Sequence, residues 1–258
     1  MNTFMKIFIC FMAGMGAGLG TGFAGMSAAA VITPILITFL GVDAYQAVGI
    51  ALASDVLASA ISAYTYKRSK NIDIKNGIIM MASVLLFTMV GSYVASLVPS
   101  GTMGGFSVFM TAILGVKFIL KPVMTTKEAM QSVPFKKRAV QSVITGCLIG
   151  FICGFIGAGG GMMMLLVLTS VLGYELKTAV GTSVFIMTFT ALTGAASHFV
   201  LGGIPDVMLL VACAVFTLIW ARIGAWVANR SKPELLNRMT GVILVVLGVV
   251  IGIFNFVK

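Results

Sequence analysis

Two glycine-bearing turns and a single acid carry the chemistry available to this chain. Gly157-Ala158-Gly159-Gly160-Gly161 separates a long apolar run from a short one, and Gly25-Met26-Ser27-Ala28 holds the corresponding place earlier on. Glycine allows a tight turn and close backbone approach. The short helix expected after each turn aims unpaired N–H groups, and the positive end of its dipole, back at the turn. Within a membrane such an end is a site for an anion. The candidate ligands are therefore Gly25, Ser27 and Ala28 from the first turn and Gly157, Gly159, Gly160 and Gly161 from the second. Ser27 is also a candidate N-cap whose hydroxyl faces the substrate. Thr182 and Ser183 are placed to donate from the helix facing the second turn, unless their hydroxyls bond back to their own helix. The plainer reading of glycine, close helix packing in lipid, is the favoured one for Gly14, Gly18 and Gly150.

Asp55 is the eleventh of about twenty-two residues in the apolar run 45–66. An ionised Asp at that depth costs about 2.5–3.5 kcal/mol on insertion scales. It is read as the site of a coupled proton or Na⁺, or else as a protonated acid bonded to a neighbour such as Ser54 or Ser59. Arg222 lies seven residues inside Asn229, about 10 Å by helical rise. It either snorkels or contacts the substrate anion. His198, near a helix end, reads as a hydrogen-bonded interfacial residue, and Trp220 and Trp226 as packing or belt residues. Cys10, Cys147, Cys153 and Cys213 lie in apolar runs without a CxxC pair and read as small buried hydrophobes, neither disulfides nor metal ligands. No cofactor or metal is expected.

The elements that position these groups follow from composition. Of 258 residues, 59% are AVILMFWYC and 9% are charged, which excludes a water-soluble globule. The net charge of +10 is that of a membrane protein with basic cytoplasmic loops, and nothing in the pattern points to nucleic acid. About ten apolar segments appear, at 3–23, 27–40, 45–66, 74–97, 101–120, 138–157, 161–172, 176–200, 206–229 and 235–256. They must be helices, because lipid leaves the backbone no other partner short of a closed barrel. The second segment of each half is short: 27–40 spans only about 21 Å at ~1.5 Å per residue, so it is expected to start partway through the bilayer.

Sliding the chain on itself by 132 residues aligns 22–49 with 154–181 at nine identities in twenty-eight, including Gly22, Gly25, Gly41 and Gly49. The chain is thus expected to be two five-segment repeats, 1–120 and 138–258, joined by a cytoplasmic linker at 121–137. The loop 66–75 is basic while its partner 200–206 is not; conversely 229–238 is basic while 98–104 is not. By the positive-inside rule the basic loops are cytoplasmic, so the repeats are inverted and both termini lie outside the cytoplasm. Inverted repeats with helices broken near the midplane are the architecture of secondary transporters working by alternating access. The expected fold is an all-α multi-pass protein of the cell membrane. Two alternatives stand beside transport: a passive small-anion channel, and an intramembrane hydrolase, for which neither a second buried aspartate nor a deep histidine is present.

The run Gly157 to Gly161, followed by Ala179-Val180-Gly181-Thr182-Ser183 and Gly203-Ile204-Pro205-Asp206, resembles the sulfite exporter TauE/SafE family of membrane proteins. The likeness covers essentially the whole chain. In the first copy Met26, Ser27 and Ala28 stand where the family tends to glycine, and Ile50-Ala51 where the second copy has Thr182-Ser183. The resemblance implies movement of small sulfur-containing anions such as sulfite, sulfoacetate or other organosulfonates.

Overall fold

The computed structural model describes residues 2–96, 116–132, 134–156 and 160–256. Every regular element among them is a helix: α1 (Thr3–Ala24), α2 (Ala29–Leu40), α3 (Ala44–Arg68), α4 (Ile74–Ser96), α5 (Lys127–Gln131), α6 (Phe135–Ile156), α7 (Gly160–Ser170), α8 (Leu176–Gly202), α9 (Val207–Arg230) and α10 (Pro233–Phe256). The chain is helical again over 116–120. The remainder of the predicted fifth segment, 101–115, lies outside the described residues. Six helices are long and apolar enough to cross a membrane among the described residues, where the sequence suggests about ten crossings; α2 and α7 are apolar but shorter.

Segments equated by the 132-residue shift form helices of matching length. α1 and α6 each have 22 residues, α2 has 12 and α7 has 11, and α3 has 25 and α8 has 27. α2 stops at Gly41 (φ 62°), and α7 stops three residues before the corresponding Gly173 (φ 66°). The next long helix starts in one half at Asp43, whose carboxylate accepts the backbone N–H groups of Tyr45 and Gln46.

Small residues let the main helices touch along their backbones. α1 packs on α9, α4 on α6, and α3 on both α8 and α9. Gly14, Gly18 and Gly22, one per turn on one face, meet α9: a Cβ at Gly18 would fall 2.5 Å from the Thr217 carbonyl oxygen and 2.7 Å from the Ala221 nitrogen. Gly146 and Gly150, the equivalents of Gly14 and Gly18, meet α4 in the same way at Met80, Ser83 and Val84. In lipid, where apolar burial gives no preference for protein over acyl chain, such close approach is what holds helices together.

One end of the bundle is polar and interlocked. Asp73, between α3 and α4, pairs with Arg138 of α6 at 3.1 Å and accepts from the Tyr174 hydroxyl at 2.9 Å and from Asn76 Nδ2 at 3.0 Å. Burial, reinforced by the Asp73 carboxylate, holds the Tyr174 phenol above its ordinary pKa, so it remains a donor. Asn71 donates to Asn229 Oδ1 (2.7 Å), Lys177 donates to the Asn229 carbonyl (3.0 Å), and Lys127 donates to Asn71 Oδ1 (3.1 Å). The linker is pinned by Asn237 of α10, which exchanges hydrogen bonds with both backbone groups of Val123. Thus α3 and α9 end where α4, α6 and α8 begin, and basic segments far apart in sequence share that end.

The glycine contacts predict opposite outcomes for two neighbouring substitutions. At Gly16 a Cβ meets only side-chain methyls at 3.4 Å, so Gly16→Ala should hold or raise the melting temperature of the solubilised protein through a helix-propensity gain of up to ~1 kcal/mol. Gly18→Ala should lower it, because the backbone of α9 must shift. Equal melting temperatures would remove the close contact from the account of the fold.

Candidate functional site

The break between α1 and α2 is built so that its backbone keeps its partners. Gly25 takes the left-handed conformation (φ 60°, ψ 32°) that glycine alone adopts without cost. The turn sends the N–H of Gly25 to the Thr21 carbonyl (3.0 Å) and that of Met26 to the Gly20 carbonyl (3.2 Å). Three other helices supply hydroxyls for carbonyls the break leaves free. Tyr66 of α3 donates to Gly22 O (2.8 Å), Thr240 of α10 to Phe23 O (3.3 Å), and Ser183 of α8 to Gly25 O (3.3 Å). Thr21 closes the turn by donating to Met26 O at 2.8 Å.

The start of α7 meets this turn directly. A Cβ at Gly161 would collide with the Gly25 carbonyl oxygen and stand 3.0 Å from the Ser27 nitrogen. Ser183 also lies 3.4 Å from the Gly161 carbonyl oxygen, so one hydroxyl touches both glycine segments. Gly25, Ser27, Gly161 and Ser183 are therefore brought together. Gly160 opens α7, whereas Gly157, Ala158 and Gly159 lie outside the described residues.

Asp55 stands at the same place. It is the twelfth residue of the 25-residue α3 and is 1% exposed. Ser27 donates to Asp55 Oδ2 at 2.6 Å, and Oδ1 has no partner among the described residues. The serines proposed from sequence as its neighbours do otherwise. Ser54 bonds back to the Ile50 carbonyl, and Ser59 donates to the backbone carbonyl of Asp55 rather than to its carboxylate. The N-cap expected at Ser27 falls one residue later, on Ala28, which makes no side-chain cap. Ser27 still accepts from the Ala29 N–H at 3.3 Å while its proton goes to Asp55. The Ser27 hydroxyl proton is thus taken by a carboxylate of the protein itself.

The remaining candidates lie apart from this cluster. Thr182 accepts from the backbone N–H of Asp73 (3.1 Å) and so serves the polar end of the bundle. Arg222 is exposed, lining a groove between α3 and α9 with Arg68 and Arg230. His198 bonds the Gly194 carbonyl (3.0 Å) and stacks on Tyr45 at 4.4 Å, as an interfacial histidine does. Cys10 and Cys213 are buried free thiols and Cys147 is partly buried; the Cys153 side chain lies outside the described residues. Sequence reasoning missed Thr21, Tyr66 and Thr240. Their only signal is a hydroxyl in or at the end of an apolar segment, and nothing local says that it reaches a turn far away in sequence.

The Ser27–Asp55 contact can be isolated by a double-mutant cycle. Ser27→Ala leaves both carboxylate oxygens unpartnered and should cost about 1–3 kcal/mol of unfolding free energy. Ser183→Ala, which removes one hydroxyl proton shared over long distances by two carbonyls, should cost no more than about 0.5–1.5 kcal/mol. Combined with Asp55→Asn, the Ser27→Ala effect should shrink; additive effects in chemical unfolding of the solubilised protein would mean that the pair does not interact.

Comparison with known proteins places this arrangement. The family model described as "Sulfite exporter TauE/SafE" matches residues 10–251. The chain is similar to a probable membrane transporter protein, YunE, of Bacillus subtilis, at 25% identity over 95% of this chain and 96% of that protein. A probable membrane transporter protein of Haemophilus influenzae is 25% identical over 95% of this chain and 98% of its own length. One of Methanocaldococcus jannaschii, MJ0441, is 23% identical over 93% and 91%. No solved structure matches the chain. With a family model covering nearly the whole chain and multiple apolar helices around a broken-helix centre, the chain belongs to the TauE/SafE sulfite exporter family of membrane transporters.

Proposed function

We propose that this transporter moves a small sulfur-containing anion, such as sulfite, sulfoacetate or another organosulfonate, by alternating access, with the anion held between the turn at Gly25 to Ala28 and the turn at Gly157 to Gly161. The observation that carries this reading is the meeting of Gly161 with Gly25 and Ser27 beside a buried Asp55. Backbone N–H groups at the starts of α2 and α7 are the donors that replace water around sulfonate or sulfite oxygens. An anion and an ionised Asp55 repel at this distance in a medium that screens little. The anion therefore enters together with a proton or Na⁺ on Asp55, which couples its movement to an ion gradient. In this reading Ser27 exchanges its bond to Asp55 for one to the anion. Asn keeps the shape of Asp55 and cannot ionise, so it should permit anion exchange while uncoupling it.

Reconstituted in liposomes, the wild-type protein should accumulate sulfite or sulfoacetate in response to a pH or Na⁺ gradient. Asp55→Asn should equilibrate the same anion without accumulating it. If Asp55→Asn keeps its dependence on pH and Na⁺, coupling resides elsewhere. Gradient-independent flux through the wild type would favour the passive channel instead, and no flux of any of these anions would remove the substrate assignment.

We further propose that the repeats 1–120 and 138–258 are inverted, with the interlocked polar end cytoplasmic and both termini on the other side. Two observations support this. α3 ends at the polar end where its equivalent α8 begins, and α4 begins there where its equivalent α9 ends. Single cysteines at Lys70, Lys127 and Lys232, in a background without the native cysteines, should be shielded from a membrane-impermeant thiol reagent in whole cells, and one at Gly202 should react. Labelling of Gly202 and Lys232 from the same side would exclude the inversion.

A further inference from the structure

A groove of about 740 Å³ opens between the last turns of α3 and α9, and none of the glycine-turn residues lines it. Tyr64, Arg68, Arg222, Trp226, Asn229 and Arg230 line it. Its three guanidinium groups meet no carboxylate in its wall, and the one ion pair among the described residues, Arg138 with Asp73, lies elsewhere. Arg230 lies over the Trp226 ring with its guanidinium carbon 4.0 Å from the centroid, which fixes its plane. Arg222 stands eight residues before Arg230, about 12 Å deeper by helical rise. The arginines thus form a column from the polar end into the membrane.

The surface below that column is apolar and uncovered. Tyr64, Ile223 and Trp226 are 61%, 42% and 50% exposed, and Leu57 and Ile219, one or two turns further in on the same faces, are 45% and 44% exposed. A soluble anion would satisfy the arginines and leave this surface bare, whereas a lipid covers both. Tyrosine and tryptophan at this level are the residues that mark the headgroup boundary, and basic clefts between helices on the cytoplasmic side take anionic headgroups. We propose that the groove binds one anionic phospholipid, its phosphodiester held by Arg68, Arg222 and Arg230 and its acyl chains lying along Leu57, Ile219 and Ile223. Arginine suits the role because its planar fork pairs bidentately with phosphate oxygens. The bound lipid joins α3, which carries Asp55, to α9, which packs on α1. This proposal stands independently of the substrate held at the glycine turns.

The test uses the detergent-solubilised full chain and native mass spectrometry. Phosphatidylglycerol should be retained at least about ten-fold better than phosphatidylcholine and should raise the melting temperature, while glycerol 3-phosphate should not reproduce that rise. Arg222→Gln with Arg230→Gln should remove the preference, and Arg222→Lys should weaken it less. A photoactivatable phosphatidylglycerol on the wild-type protein, which requires no variant to fold, should label peptides spanning 61–69 and 222–230. Equal retention of phosphatidylcholine, unchanged preference in the folded double variant, or labelling confined to other peptides overturns the proposal. A rise produced equally by glycerol 3-phosphate would make the groove a soluble-anion site and overturn it as well.

Discussion

A helix interrupted inside a bilayer must find a protein partner for every backbone group it frees, because hydrocarbon offers none. The break between α1 and α2 shows how strongly this constraint shapes the molecule. Its carbonyls are met by Tyr66, Thr240 and Ser183, drawn from α3, α10 and α8, and by the turn's own N–H groups. Three helices are thereby fixed at one point. A hydroxyl missing there would leave a carbonyl short of its partner, at a cost of about 0.5–1.5 kcal/mol for the long contact of Ser183 and about 1–3 kcal/mol where the acceptor is fully orphaned, so the turn and the bundle around it are specified together.

The same constraint explains why the break is a place for chemistry. Once the carbonyl side is satisfied by side chains, the N-terminal side of α2 faces Asp55 through Ser27, with the start of α7 against it. Asp55, near the middle of α3, is held by one short hydrogen bond from Ser27, and its other carboxylate oxygen has no partner among the described residues. A buried acid that is only half paired is a candidate for chemistry more than for a structural strut.

Glycine serves two separate ends in this chain. Along α1 and α6 it brings backbones together, at Gly14 and Gly18 against α9 and at Gly146 and Gly150 against α4. At Gly25 it lets the chain turn, and at Gly161 it lets the start of α7 come against that turn. Neither end is visible from one glycine alone. Spacing by four residues within an unbroken helix signals the first, and position between a long apolar run and a short one signals the second. The polar end is the counterweight, where Asp73, Arg138, Tyr174 and Asn76 tie helix ends together through side chains.

Hydropathy alone determined that the chain is helical and lies in a membrane, and the glycine pattern pointed to the break at Gly25 between a long helix and a short one. These are local or periodic properties, and α1 to α4 and α6 to α10 begin and end close to where composition changes. The place of Asp55 near the middle of a long helix was legible for the same reason, since it follows from counting residues along an apolar run. Its partner was not, because Ser27 is 28 residues away in sequence and the serines beside Asp55 turn to their own or its backbone carbonyls. Thr182 and Arg222 look equivalent to Ser183 as polar groups in apolar helices, yet the structure sends one to the polar end and the other to the outer groove. Which face of a helix looks inward depends on the helices packed around it. Tertiary structure alone therefore decided which polar groups share a site, while the sequence determined that such groups had to find partners somewhere in the protein.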